Sequence, residues 1–360
     1  MRRIFCFLFL SCLSALFVNA QNSDEGIITD EIGKKLHNES FTPSETLINN
    51  IQTPSLQIGG YAMLLYQYDA VKNIHDVRPS VAFLQIKGNL GTKFRYYLLS
   101  EFVRPQLYEY YGEWIFSPAF NLRVGQYRIP FTLENLISQT MLESIQNTRT
   151  VASFAGRSSD VGVSKSGRDI GIMASGSFLK MNDINFLHYW VGCFQGTGMN
   201  TPENNKQKDF SGILAVQPVK GLRFAGNLYR GTALYAIDEN AAPTNNKRNR
   251  WGLSADYQSD RFYARAEWLN GTDADTKKSG IYGTALWYFI PEKLNLFGKI
   301  DHFSIDKSTN TTATDYIIGG SYYFYRNCRL QLNYVYSQYS KTWTGNAVEN
   351  GVFAQMQVVF

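Results

Sequence analysis

From residue 56 to the C-terminus, apolar and polar residues alternate with a period of two, in segments of about ten residues. The last segment, GVFAQMQVVF, puts Val352, Ala354, Met356, Val358 and Phe360 on one face. In residues 328–336, Cys328, Leu330, Leu332, Tyr334 and Tyr336 alternate with Arg329, Gln331 and Asn333. Along 261–268, Phe262, Ala264, Ala266 and Trp268 alternate with Arg261, Tyr263, Arg265 and Glu267. One face is apolar throughout and the other carries charge. That suits a tilted strand with lipid on one side and water on the other, and about ten residues let such a strand cross a bilayer.

The pattern predicts sixteen strands, near 56–67, 81–90, 94–103, 107–116, 120–129, 169–179, 184–194, 209–217, 222–230, 250–258, 261–270, 279–289, 294–305, 314–325, 328–337 and 350–360. The connections after even-numbered strands are short (GTK, SPA, KMND, PVKG, SD, IPEK, RN), and most of those after odd-numbered strands are long. Arg104-Pro105-Gln106 is the exception. An even strand count with short turns at one end and long loops at the other predicts an all-β, 16-stranded antiparallel transmembrane β-barrel with both termini in the periplasm. Proline cannot donate to a ladder, so Pro54, Pro79, Pro105, Pro118, Pro130, Pro202, Pro218, Pro243 and Pro291 are expected between strands or at their ends. Aromatic girdle positions are expected at Phe94, Tyr96, Trp114, Phe116, Tyr288, Phe289, Tyr323 to Tyr325 and Phe360. A secreted β-sandwich or soluble barrel is the competing fold; it predicts loops without side-dependent length and aromatics in a core.

The N-terminus changes the picture by adding export. Arg2 and Arg3 precede an apolar run that ends at Val18-Asn19-Ala20, the form of a signal peptide cleaved before Gln21. A membrane anchor is the alternative, but the run is short and polar sequence follows at once. Cys12 has Phe9 where a lipoprotein site needs an aliphatic residue. Without the signal, two isolated cysteines remain, Cys193 and Cys328, which make no disulfide framework. Residues 21–50 read as an acidic periplasmic tail carrying −4, against +7 for the barrel region 51–360. The chain holds 23 Tyr and 24 Phe, which a lipid-facing surface accounts for better than a soluble core does.

The longest connection, residues 131–168, joins the fifth strand to the sixth. A connection this long is functional or disordered more often than not. Folded into a water-filled lumen, it would build a constriction loop.

The stretches LRVGQYRIPFTLENL and GRDIGIMASG resemble the phosphate-selective porins O and P, a family of Gram-negative outer-membrane channels. The matching positions are Gly125, Gln126, Pro130, Phe131 and Glu134, then Gly167, Arg168, Asp169, Gly171 and Gly176, with Phe360 as the terminal signal for the barrel assembly machinery. The resemblance implies a passive porin, a homotrimer in outer-membrane lipid, passing small anionic solutes such as phosphate. It transfers no phosphate-binding series residue by residue. No cofactor, metal or nucleic acid is implied.

Alternation points Arg123, Arg223, Arg250, Arg261, Arg265, Lys299 and Arg329 toward the lumen, and the loop adds Arg149, Arg157, Lys165 and Arg168. Such cations concentrate anions in a confined pore. The bland reading is an ion-pair lattice with Asp256, Glu267 and Asp301 on the same wall. Glu101, Glu109 and Glu113 face them from strands three and four, so a transverse field is a further reading. Arg168 and Asp169 can also pair with each other. His37 lies in the tail, His75 in a loop, His188 on the apolar face and His302 near a strand end, and no pair has metal-ligand spacing. An anion-preferring porin is therefore expected. A general porin, a blocked structural or adhesive barrel and a barrel hydrolase are the alternatives.

Overall fold

The computed structural model describes residues 55–155, 166–181, 184–236, 242–343 and 345–360. The signal, tail and candidate residues Arg157 and Lys165 lie outside the described residues. The first five strands are β1 (Ser55–Asp69), β2 (Ile74–Leu90), β3 (Phe94–Glu101), β4 (Gln106–Ser117) and β5 (Phe120–Arg128). Two short helices follow, α1 (Leu133–Leu136) and α2 (Arg149–Phe154). Then come β6 (Arg168–Met181), β7 (Ile184–Phe194), β8 (Asp209–Val219), β9 (Leu222–Tyr235), β10 (Thr244–Gln258) and β11 (Phe262–Asp273). The last five are β12 (Thr276–Ile290), β13 (Leu294–Asp306), β14 (Thr311–Tyr325), β15 (Cys328–Tyr339) and β16 (Val348–Val359). Every strand pairs antiparallel with its sequence neighbours, and β1 pairs with β16, so the sheet closes into the expected sixteen-stranded barrel.

The terminal residue completes that closure. Gly60 N donates to Phe360 O at 2.9 Å and Phe360 N donates to Gly60 O at 3.0 Å. A Cβ at Gly60 would meet Phe83 O at 2.2 Å and Phe360 Cζ at 2.8 Å, so only glycine lets the last rung form.

Alternation sorts the side chains as expected. On β10, Trp251, Leu253 and Tyr257 are exposed on the outer face, while Arg250, Ser254 and Asp256 are buried inside. On β15, Leu330, Leu332 and Tyr334 face out, and Arg329, Gln331 and Asn333 face in.

Several strands run past their expected ends. Connections 70–73, 274–275 and 307–310 are brief, because hairpin pairing continues beyond the apolar band, and 102–105 is short as expected. On β10 the outward residues Asn245, Lys247 and Asn249 are polar and exposed, so the hydrophobic signal stops while the backbone ladder does not. His75 accordingly sits in β2, where its Nδ1 meets Tyr66 Oη at 2.7 Å. Pro79 also lies inside β2, at a register shift opposite Met63 and Leu64, where a bulge spares the missing donor.

Four further residues differ from expectation. Tyr288 and Tyr323 lie on the inner row, so they are not girdle residues; Tyr323 Oη accepts from Arg329 at 3.3 Å. Arg261 is exposed in the turn before β11. His188 is on the inner row of β7, stacked with Trp190 and within 2.9 Å of Ser177 Oγ. Here the inner row is itself apolar, which is why hydrophobicity misled: Trp190, Phe194, Ile213, Ala215 and Ala225 pack with Tyr127, Met173 and Leu133.

Candidate functional site

The barrel interior is the candidate site, and the connection between β5 and β6 shapes it. α1 starts where Thr132 Oγ1 accepts from Asn135 N at 3.0 Å. The N–H groups of Leu133 and Glu134 donate to the Glu267 carboxylate at 2.8 and 2.9 Å. A carboxylate from the opposite wall thus takes the orphan donors of the helix start. α2 starts on Thr148, whose Oγ1 accepts from Val151 N at 3.2 Å, while Thr150 N donates to Asp301 at 3.1 Å. Gly280 makes room for this docking, since a Cβ there would meet Thr150 Oγ1 at 2.2 Å. Between the helices the segment runs along the wall: Gln357 holds Thr140 O, Arg329 holds Leu142 O, Gln331 holds Glu143 O, and Asn333 takes Ile145 N.

Four charges lock it. Arg265 Nη2 lies 2.9 Å from both Glu134 and Glu143, and Lys299 Nζ lies 2.8 Å from Glu143 and 3.4 Å from Glu134. Arg265 further donates to Tyr282 and Tyr263 at 2.7 Å, and Lys299 to Ser144 Oγ at 2.7 Å. Glu134 also accepts from Thr148 N at 2.8 Å, so one carboxylate ties both helices to the wall. Burial alone would raise the Glu143 carboxyl, but Arg265 and Lys299 outweigh it and hold it at about 2. All four groups are buried, two cations against two anions, which satisfies the condition for keeping charge out of water.

Most of the other predicted cations among the described residues are occupied as well. Arg223 is bound to Asp256, Arg250 to Asp273 at 2.6 Å and to Phe154 O, and Arg149 to Asp315 at 3.0 Å. The Asp315 carboxylate holds the Arg149 guanidinium above its usual range, against the effect of burial. Arg329 contacts carbonyls and the Gln357 amide. Arg168 pairs with Glu109 at 2.6 Å and not with Asp169, whose carboxylate accepts from Gly196 N at 2.6 Å and Ile170 N at 2.8 Å.

The shared motif builds the foot of the loop. Gln126 donates to Leu107 O and Tyr108 O at 2.9 and 3.0 Å. Pro130 O accepts from Ser211 at 2.9 Å, and Phe131 is buried against Tyr229. Gly125 (φ 140°) would bring a Cβ within 2.2 Å of Tyr110 O, Gly167 (φ 67°) within 2.3 Å of Asn135 Oδ1, and Gly171 within 2.4 Å of Cys193 O. Glu134 is the hub already described.

The remaining wall is different. On β3–β6 two arginines share each of two carboxylates: Arg95 and Arg123 hold Glu113 at 2.6 and 3.0 Å, and Arg128 and Arg168 hold Glu109 at 3.3 and 2.6 Å, while Arg128 also donates to Asn135 O of the inserted segment at 3.2 Å. Glu101 lies 3.7 Å from Arg104, so the three glutamates form no separate acidic wall. Arg123 stacks over Tyr111 at 4.1 Å, and Tyr111 stacks on Tyr97. Lys87, beside Tyr97 on the inner row, has no ion-pair partner among the described residues. Side chains of Arg95 and Arg123 are 21% and 24% exposed, against 0% for Arg265 and Lys299. Arg95 and Lys87 were legible as inner-row residues of alternating strands; Glu143 sits in aperiodic sequence and gave no signal.

A closed sixteen-stranded barrel with an apolar outside, a charged inside and an inserted loop defines an outer-membrane channel of the porin class. The family model "Phosphate-selective porin O and P" matches residues 65–360, and the chain belongs to that family. Among solved structures it is similar to an anion-selective porin from Comamonas acidovorans, with TM-score 0.66, 12% identity, and coverage of 85% of this chain and 100% of that one. OmpT of Vibrio cholerae, in its trimer form, gives TM-score 0.60 at 10% identity over 85% and 100%. The outer-membrane channel DcaP of Acinetobacter baumannii gives 0.56 at 10% over 86% and 99%. At these identities the likeness is one of fold. No curated protein matches the chain in sequence.

Proposed function

We propose that the protein is a passive, anion-preferring diffusion channel whose lumen is narrowed by the segment between β5 and β6. One observation carries the anion preference: on β2–β5 Arg95 and Arg123 share Glu113 beside Lys87, three cations to one carboxylate, and both guanidiniums stay partly open to the lumen. In a confined pore that excess concentrates anions. Arg265 and Lys299, the strongest candidates by strand position, serve in this reading to hold the loop rather than to meet solute. The family name and the Comamonas relative support the same sign of selectivity, and phosphate is the first solute to test. A homotrimer, as in the OmpT trimer form, is the proposed assembly. In this reading the short turns lie in the periplasm and the loop end lies outside the cell. The deciding measurement is single-channel recording in planar bilayers, with reversal potentials under gradients of chloride and of phosphate salts. A cation-selective reversal potential would overturn the anion reading, and the absence of current would favour a blocked barrel.

A further inference from the structure

We propose that the outer face of β9–β13 docks a phosphorylated, multiply acylated glycolipid of the outer leaflet. Its acyl chains would lie in a depression of small residues and its phosphates on a basic row at the loop end. This rests on the outer-membrane reading with the loop end outside.

The depression holds about 790 Å³. Register explains its shape. Ala264, Ala285 and Gly298 follow one another across three strands in one lateral row, and Ala255, Ala266 and Gly283 do so in the next. Both rows belong to the outer face. Trp268 and Ile281 bound them on the loop side, Phe262 and Trp287 on the turn side. Glycine weakens a strand interior, and where it persists it often marks the close approach of something else. Yet a Cβ at Gly283 or Gly298 would meet nothing within 4 Å. Among the described residues nothing takes up that space, which leaves it open to a partner outside the chain.

The basic row supplies the head-group chemistry. Arg230, Asn249, Thr272 and Lys277 form one lateral row on β9–β12, with Lys247 one step further and Lys307 bonded through its backbone N to Lys277 O. The four cations are exposed and have no ion-pair partner among the described residues. Asp275 and Asp306 share this rim, but Asp306 is occupied by Ser308 N and Oγ. Among the described residues the excess is positive. Trp251 and Trp268, in edge-to-face contact at 5.1 Å, lie between the cations and the depression, as interfacial aromatics do. Lys277 and Gly283 are roughly 20 Å apart along β12, a span that an acyl chain covers. A second copy packed here would bury the unpaired cations against an apolar barrel face, at a desolvation cost. A lipid phosphate meets them at the water interface, where basic clusters recognise anionic head groups.

The test titrates the purified, detergent-solubilised barrel with bis-phosphorylated lipid A, with the same lipid after removal of its phosphates, and with phosphatidylethanolamine, read by native mass spectrometry. Wild type should bind the phosphorylated form more than tenfold more tightly than the dephosphorylated one. The variant R230Q/K247Q/K277Q/K307Q should lose that preference, and G283L/G298L should weaken both forms of lipid A. Heat-modifiability on gels and unchanged single-channel conductance report that each variant is folded, since these side chains face away from the lumen. Equal binding of the two lipid A forms by wild type overturns the proposal, and that arm needs no variant. So does a quadruple variant that keeps the preference, or a groove variant that loses its oligomer while binding lipid A normally. A tag at Asn245 that is inaccessible on intact cells, with the lipid preference intact, would instead reject the orientation.

Discussion

The two walls of the lumen carry the same residue types and use them differently. On β11–β16, Arg265, Lys299, Asp301, Asp315 and Arg329 are occupied by the inserted segment, and the central cations are wholly shielded. On β3–β6, Arg95 and Arg123 share one glutamate and retain access to the lumen. The difference shows that an inward arginine in a barrel is not by itself a selectivity residue. What decides is whether a neighbouring carboxylate or carbonyl from another segment has already taken its donors. In the proposed reading the first wall anchors the narrowing segment, and the second is left to meet solute.

The comparison breaks most visibly if the inserted segment is removed. Deleting residues 133–154 should raise single-channel conductance by roughly twofold or more, because the pore widens while the barrel wall stays closed. Unchanged conductance would place the segment outside the current path. Next in size is Arg265→Ala, which leaves Glu134 and Glu143 with Lys299 alone. Unpairing a buried charge costs about 3–5 kcal/mol, so the segment should detach and conductance should become larger and noisier, with the barrel still heat-modifiable. The same substitution made at Arg123 should do neither.

The opposite wall is tested by selectivity. Arg95→Gln with Arg123→Gln should keep conductance within about a third of wild type and lower the anion-to-cation permeability ratio by roughly two- to threefold. A reversal potential that does not move would show that solute passes elsewhere. The smallest effect concerns pH. Glu143 titrates at about 2 in the folded protein, below an ordinary glutamate near about 4.3. Its contribution to anchoring is therefore complete above that ordinary value and is lost only as pH falls toward about 2. Conductance should stay flat from pH 8 to about pH 5 and rise only below about pH 3. A step near neutral pH would mean that another group controls the segment.

The fold was legible because a membrane strand has a strict rule: period two, about ten residues, apolar toward lipid. That rule located sixteen strands, the terminal Phe360 and the long segment after Pro130. It failed at strand ends, where Asn245 and Lys247 continue a ladder without an apolar face, and at His188, where an apolar inner row imitates an outer one. The motif around Glu134 was readable as a family mark, but its work as a tie between α1, α2 and two cations was not. Along most strands the sequence by itself determined which side chains point inward, since that depends on local alternation. Which inward charges remain available was decided by the tertiary structure alone. Glu134 lies far from Arg265 and Lys299 in the chain, and only closure of the barrel around the segment brings them within 2.9 and 3.4 Å.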